Sequence, residues 1–239
     1  MVLDCYIDAS QSTFVPGRLI IDNVLLAYEV LYSFKNRRSG QKGFMALKLN
    51  MSKAYDRVEW SFIKRVMSKL GFADGVIDLI IRYINSVQYS ILINGEEGQS
   101  FRPTRGLRQG DSLSPYLFLF YGEGLSALMK LACQKGRICR ANVSRASPSI
   151  THHMFADDCI LFGKVSNRRI SVPKEILKEY DVCSGQYINF EKSMVFFSWN
   201  VNDHDRNLVF QTLNVRCSID PEKYLGLPNM VEQKRKMAF

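Results

Sequence analysis

The chain has 239 residues, 46% of them hydrophobic, enough to bury a core as one large domain or a domain with a small appendage. Lysine and arginine total 32 against 23 acids, and the net charge of +9 suits a polyanionic partner, nucleic acid first. No apolar run is long enough to span a bilayer, and the N-terminus, carrying Asp4 and Asp8, lacks a signal-peptide pattern, so an intracellular protein (nucleus or cytoplasm) with no membrane partner is expected.

In chain order, Phe14-Val15-Pro16-Gly17-Arg18 reads as a loop. Asp22 is then placed to cap a helix in which Val24, Leu25, Tyr28, Leu31 and Tyr32 recur at helical spacing. Residues 35–42 form a basic, turn-rich linker, and Phe44 to Leu49 predicts a buried strand. Trp60 to Leu70 is helical by periodicity, with Gly71 where a C-terminal cap belongs, and a second helix spans about Gly75 to Ser86. Tyr89 to Ile93 predicts a strand, Asn94-Gly95 its turn and Gln99 to Arg102 its partner. Gly106 to Ser114 is a glycine-bearing polar loop, and Ser114-Pro115 starts a helix that runs to about Cys133. Met154 to Phe162 predicts a strand pair bent at Asp157-Asp158, Pro173 to Cys183 a helix, and Met194 to Ser198 and Lys223 to Leu227 two further strands. The order fits an α+β fold, an antiparallel sheet with helices on one face.

The six cysteines include no C-x-x-C pair and no zinc-finger spacing, which points to reduced intracellular thiols. His152 and His153 would alternate across a strand, a poor geometry for chelation, and are read as ordinary surface or strand residues.

Asp157-Asp158 lies between apolar residues, where two acids are costly unless something compensates them. A turn there can present a carboxylate to magnesium, or it can be a solvated hairpin tip. A two-metal nucleotidyl transfer needs another carboxylate from a neighbouring strand. The end of the Phe44–Leu49 strand is the place for it, but the residue there is Asn50. Asp56 follows later, and its plainer role is helix capping. Arg105 to Pro115, with arginines, Gln109 and glycines before a helix start, offers a surface for a base pair or phosphates.

Taken together, these segments resemble the reverse transcriptases of non-LTR (LINE-like) retrotransposons. Gln11 to Arg18 resembles a fingers motif, and Leu47 to Trp60 resembles motif A, most like the plant elements. Gly106 to Pro115 resembles motif B, and Phe155-Ala156-Asp157-Asp158 motif C. Gly185 to Ser193 resembles motif D, and Lys223 to Pro228 motif E. The motifs come in the family's order and cover nearly the whole chain. The resemblance implies a right-hand polymerase palm: partial fingers over 1–43, the palm over 44–228, and a basic tail over 229–239 that would begin a thumb or connection.

It also implies roles. Asp157 would hold metal with Asp158 beside it, two Mg2+ ions or Mn2+ in their place. Tyr55 would lie under the sugar of an incoming dNTP and exclude a 2′-hydroxyl. Gln109 would sit near the new base pair with Arg108 along the template, and Arg18 would approach the triphosphate. Lys192 would give a proton to the leaving pyrophosphate, and Tyr224 and Gly226 would touch the primer end. The partners would be an RNA template with a DNA primer, or an RNA–DNA hybrid. Asn50, Asp157 and Asp158 should then meet at one end of the sheet, with Tyr55 and Gln109 bordering the cleft, Lys192 near it and Asp56 turned away.

Two departures qualify that reading. The family has an aspartate at the position of Asn50, and this neutral side chain bridges two ions poorly. The chain also has no room for the family's endonuclease and no recognisable thumb. The expectation is a reverse-transcriptase-like domain, impaired or inactive. The alternatives are a working polymerase with other ligands, a non-catalytic nucleic-acid-binding scaffold, or an unselected relic.

Overall fold

A computed structural model describes residues 3–38, 40, 43–142, 149–166, 169–217, 223–224 and 227–228, with backbone alone at 142, 149, 223, 224, 227 and 228. Its elements begin with α1 (Ile20–Asn36), β1 (Phe44–Leu49), β2 (Met51–Ser52), α2 (Trp60–Lys69) and α3 (Asp74–Asn85). Next come β3 (Leu92–Ile93), β4 (Glu96–Glu97), α4 (Ser114–Gln134), β5 (Ala141–Asn142) and β6 (Ser149–Ile150). Then β7 (His152–Phe155), β8 (Asp158–Lys164), α5 (Val172–Ser184), β9 (Tyr187–Ile188) and β10 (Met194–Phe197) follow. Last are α6 (Asp203–Leu213), β11 (Arg216–Cys217), β12 (Lys223–Tyr224) and β13 (Leu227–Pro228).

The five-stranded sheet has the order β11-β10-β1-β8-β7, antiparallel except for the β10–β11 pair. Its middle strand β1 is apolar toward both faces. Met45, Leu47 and Leu49 share one core with Cys159, Leu161 and Val195 and with residues of α2, α4 and α5. Phe44 and Ala46 share a second core with Ile160, Phe162 and Phe196, closed by Val24, Ala27, Val30, Leu31 and Phe34 of α1. Most helices therefore pack on one face as expected, and α1 adds a cover on the other. This explains why β1 reads as a nearly continuous apolar run rather than an alternating one.

The buried stripe of α1 differs from the expected one. Val24 and Leu31 face the sheet, but Leu25 and Tyr32 are exposed, because the small Ala27 sets the line of closest approach. The helix starts at Ile20, so Asp22 lies within its first turn, where a carboxylate suits the helix dipole without capping. Ser114 likewise is the buried first residue of α4, not its cap, which is Leu113. Gly71 ends α2 with φ +87°, its N–H donating to Ser68 O (3.1 Å) and that of Phe72 to Met67 O (3.1 Å), a Schellman closure. Asn94 and Gly95 both have positive φ, as a two-residue primed turn requires; β4 starts at Glu96, and the hairpin extends through the Tyr89–Phe101 bridge.

His152 and His153 are not surface residues; they are 3% and 4% exposed. The N-terminal segment covers the outer side of β7 through Met154 N–H to Ser10 O (2.8 Å) and Ser12 N–H to Met154 O (3.4 Å). His152 is held by Ser10 Oγ (2.8 Å), Ser126 Oγ (3.2 Å) and Thr151 Oγ1 (2.9 Å). Burial lowers both imidazoles to about 4. In the same seam Glu123 of α4 accepts the Asp8 N–H at 3.0 Å, and burial raises its carboxyl to about 7.

These shifts have opposite signs. The histidines, depressed below 6.5, contribute stability that is present above that pH and lost toward pH 4. Glu123, raised above 4.5, contributes stability that is present below that pH and lost as pH rises through about 7. Acidification from about 6.5 to 4.5 should therefore weaken the fold, with two groups opposed by one. His152→Gln should flatten this loss and Glu123→Gln steepen it, each by up to roughly 1.4 kcal/mol per pH unit. Urea unfolding midpoints measured at intervals from pH 7 to 4.5 check both slopes; parallel slopes in all three proteins would contradict the assignment.

Candidate functional site

The sheet register brings the distant acids and Asn50 to one end. Leu49 pairs with Cys159, so Asn50 follows at the point where β8 begins with Asp158. Phe155 pairs with Asp158 across the Ala156-Asp157 turn, in which Ala156 has φ +53°. Asp157 is exposed at the tip and Asp158 half-buried behind it. Lys48 Nζ lies 3.8 Å from Asp158 Oδ1. Burial raises the Asp158 carboxyl above its ordinary value, and the Asp157 charge adds to that while Lys48 opposes it.

The backbone of Asn50 is fixed by the turn before β10. Its N–H donates to Ser193 Oγ (3.0 Å), and its carbonyl accepts from Asn189 N–H (2.9 Å). Ser193 Oγ in turn donates to Asn189 O (2.8 Å). Lys192 is the exposed residue beside this tie.

A second junction lies just beyond β2. The Leu107 N–H donates to Tyr55 O (2.9 Å), the Gly106 N–H to Val58 O (2.8 Å) and Trp60 Nε1 to Gly106 O (2.7 Å). These bonds press the 105–113 loop onto the turn at 53–57. Gly106 has φ +89°, and a Cβ there would come within 2.9 Å of Asp56 O. On the opposite side Gly185, the left-handed C-cap of α5, would bring a Cβ to 2.7 Å from Glu59 Cγ and 3.1 Å from Arg57 O. Two side-chain-free positions thus flank the same turn. Asp56 is exposed within it and does not cap α2; the cap position is Glu59, which makes no side-chain cap bond.

Tyr55 is half-buried, its ring stacked on Phe118 of α4 with centroids 4.5 Å apart and planes 7° from parallel. Burial first, and then the charge of Asp157, raise its hydroxyl above the ordinary value. Gln109 and Arg108 are exposed on the loop that leaves Leu107. The far end of that loop is anchored where Asp111 accepts from Tyr83 Oη (2.9 and 3.0 Å) and from Leu113 N–H (2.8 Å).

Arg18 is engaged elsewhere. Its guanidinium donates to Asp8 O (2.6 Å), Ile7 O (3.1 Å) and Gln11 O, and lies 3.5 Å from Asp4. Tyr224 lies in β12, paired with Leu227 of β13, while Gly226 falls outside the described residues.

Three contributors went unnoticed in the sequence. Lys48 had a signal: it is the one cation in an apolar strand, in step with Ile160 across β8. Ser193 and Phe118 had none, since a serine before a strand and a phenylalanine inside a helix are ordinary until their partners are known.

Among the described residues Asp157 and Asp158 are the carboxylates at the turn's end, Lys48 faces Asp158, and Asn50 brings no charge. Among the described residues no group of three or more His, Cys, Asp or Glu side chains is arranged to hold a metal.

A family model described as reverse transcriptase (RNA-dependent DNA polymerase) matches residues 2–228. An uncharacterized mitochondrial protein of Arabidopsis thaliana is 51% identical over 67 residues, 28% of this chain and 55% of that protein. The retrovirus-related Pol polyprotein of the type-1 retrotransposable element R2 of Popillia japonica is 29% identical over 208 residues, 81% of this chain and 32% of the polyprotein. A 149 kDa protein of the transposon TX1 of Xenopus laevis is 28% identical over 80% of this chain and 14% of its own length. The chain thus spans only part of each curated relative. Among solved structures, apo telomerase of Candida tropicalis aligns with a TM-score of 0.54 at 15% identity, covering 80% of this chain and 37% of that one, a likeness of fold.

The clamp on the 53–57 turn can be tested by stability alone. Gly106→Ala meets both a left-handed φ and a backbone oxygen 2.9 Å away, whereas Gly110→Ala, at φ +83°, meets only the φ. The second should cost about 1 kcal/mol and the first clearly more, about 2–3 kcal/mol. Chemical denaturation of both variants beside the parent checks the difference; equal losses would show that the loop does not bear on Asp56.

Proposed function

We propose that this chain, which belongs to the reverse transcriptase (RNA-dependent DNA polymerase) family, is the fingers–palm unit of a non-LTR retrotransposon type that keeps a nucleic-acid cleft and has lost most or all polymerase activity. The observation that carries this is the register of β1 on β8, which sets Asn50 where the Asp157 turn would need a partnering carboxylate. Residues 1–43 are the partial fingers, 44–228 the palm, and 229–239, outside the described residues, a basic tail leading toward a thumb.

Reverse transcriptases act on nucleic-acid templates with divalent metal ions. In this reading Mg2+ or Mn2+ would be held weakly by Asp157, because Lys48 already compensates Asp158 and Asn50 is neutral. The other residues keep roles as a binding surface. The flat Tyr55–Phe118 stack supports the sugar of a dNTP. Gln109 and Arg108, exposed on the loop, meet the base pair and the template backbone of an RNA–DNA hybrid. Lys192 is the proton donor to pyrophosphate, and Tyr224 and Gly226 lie along the primer. Arg18 does not reach for the triphosphate; its donors hold the N-terminal loop together. The Lys48–Asp158 pair favours a binder over a working enzyme, since a cation on a metal ligand stabilises the empty site.

Asn50→Asp should tighten Mn2+ binding to the full chain several-fold without unfolding it, as read by calorimetric titration. Grafted into a complete LINE-like polymerase, the Asn50 core should incorporate a single nucleotide on the order of a thousandfold or more slowly than its Asn50→Asp counterpart. Equal incorporation by both chimeras, well above an Asp157→Ala blank, would refute the impaired-enzyme reading.

Binding gives an independent check. With a net charge of +9 and Arg105 and Arg108 exposed on the cleft loop, an RNA–DNA duplex should bind with little sequence preference and lose affinity steeply with salt. A filter-binding series across salt concentrations measures the slope; a flat response would count against a nucleic-acid cleft.

A further inference from the structure

The sheet end opposite Asp157 carries a surface that no role above uses. There α1 finishes, β1 begins, and β8 and β10 end. The Phe44 N–H donates to Ser198 Oγ (2.8 Å), and the Ser198 N–H donates to Phe44 O (2.9 Å). The Trp199 N–H donates to Phe34 O (3.2 Å), which seats Trp199 against the last turn of α1.

Cations and aromatic rings interleave on this surface. The Arg37 guanidinium lies 4.5 Å from the Phe44 ring centroid, and Lys164 Nζ lies 6.0 Å from it. The Arg38 guanidinium lies 5.8 Å from the Trp199 ring. Phe44 is buried, but Trp199 is 59% exposed, and Arg38 is exposed beside it. The nearby acids Asp203 and Asp205 belong to the start of α6, where Asp203 faces Arg206 (3.9 Å) and Asp205 bonds with the Asn202 cap. The indole therefore has an open face within a cationic neighbourhood.

We propose that Trp199, Arg38, Arg37 and Lys164 form a second nucleic-acid contact that takes single-stranded nucleic acid, a base stacking on the indole and phosphates meeting the cations. A flat exposed ring with guanidinium groups around it suits every base, since each has a π face, and so predicts little sequence preference. A protein partner fits less well, because the patch offers one ring and several charges rather than a continuous apolar face. Six strand residues separate this surface from Asn50, roughly 20 Å at 3.3 Å per residue, so a strand held here lies outside the proposed cleft. The proposal does not depend on polymerase activity.

The full chain has two tryptophans; the other, Trp60, is buried and bonded to Gly106 O, so its own emission is read in Trp199→Phe and subtracted to isolate the Trp199 signal. The experiment titrates the chain with a fluorescein-labelled single-stranded RNA 12-mer and a DNA 12-mer of the same sequence, following anisotropy. A parallel titration with unlabelled oligonucleotide follows tryptophan emission. Expected are binding at low salt with quenching of Trp199, about tenfold or more weaker binding by Trp199→Ala, an intermediate loss by Trp199→Phe, and a loss for Arg38→Ala. Quenching should persist in an Arg105→Ala/Arg108→Ala variant that strips the cleft loop. Equal binding of both oligonucleotides, or a preference for RNA, supports the contact and names its source. Anisotropy rising without quenching, or parental affinity in Trp199→Ala, overturns the second contact while leaving the cleft reading intact. No binding of either strand at low salt overturns it outright.

Discussion

The pairing of β1 with β8 is the constraint on which the rest depends. Both faces of β1 are buried, so its register is fixed twice, by the core under α2, α4 and α5 and by the core under α1. A slip of one residue would exchange the two faces and set Met45 and Leu47 against α1. It would also move Asn50 past Asp158. The same apolar packing that stabilises the domain therefore determines which polar residues meet at its end, and does so without any interaction among those residues.

From that end the structure spreads through backbone bonds rather than side-chain pairs. The turn at 53–57 is held by Gly106 and Leu107 on one side and abuts Gly185 on the other. Asn50 is held by Asn189 and Ser193. Segments more than a hundred residues apart thus share one frame, and the side chains standing on it, Tyr55 above all, inherit their positions from it. Exposed groups such as Gln109, Arg108 and Lys192 stand on fixed bases with free ends, the arrangement a surface needs when its ligand arrives from solvent.

Much of this was legible in the sequence because the signals were local. Phe44 to Leu49, the Gly71 stop, the Asn94-Gly95 turn and the Asp157 hairpin each follow from a few adjacent residues. The gathering of Asn50 with Asp157 was legible only through the ordered motifs, since nothing local relates strands that far apart. What escaped was set by tertiary contact. The stripe of α1 was rotated by Ala27, a small residue that hydrophobic patterning undervalues. The histidines lie in a strand, one of the two readings the sequence allowed, but their burial was not legible because it comes from the segment at Ser10 to Ser12, not from β7 itself. Arg18 was given a phosphate role through the resemblance alone, whereas three carbonyls of its own loop engage its guanidinium.

The crowding of acids at one sheet end has a consequence for drift. Without metal, an aspartate at position 50 would add a third negative charge beside Asp157 and Asp158, and burial already raises the Asp158 carboxyl. Asparagine removes that repulsion and keeps the backbone bonds to Asn189 and Ser193, which involve no side-chain atom of residue 50. In the reading proposed above, asparagine relieves this repulsion at the expense of metal binding, a local instance of the trade between stability and activity. The frame around residue 50 is built from backbone bonds that either side chain leaves in place, so the fold at this sheet end does not depend on the chemistry proposed for it.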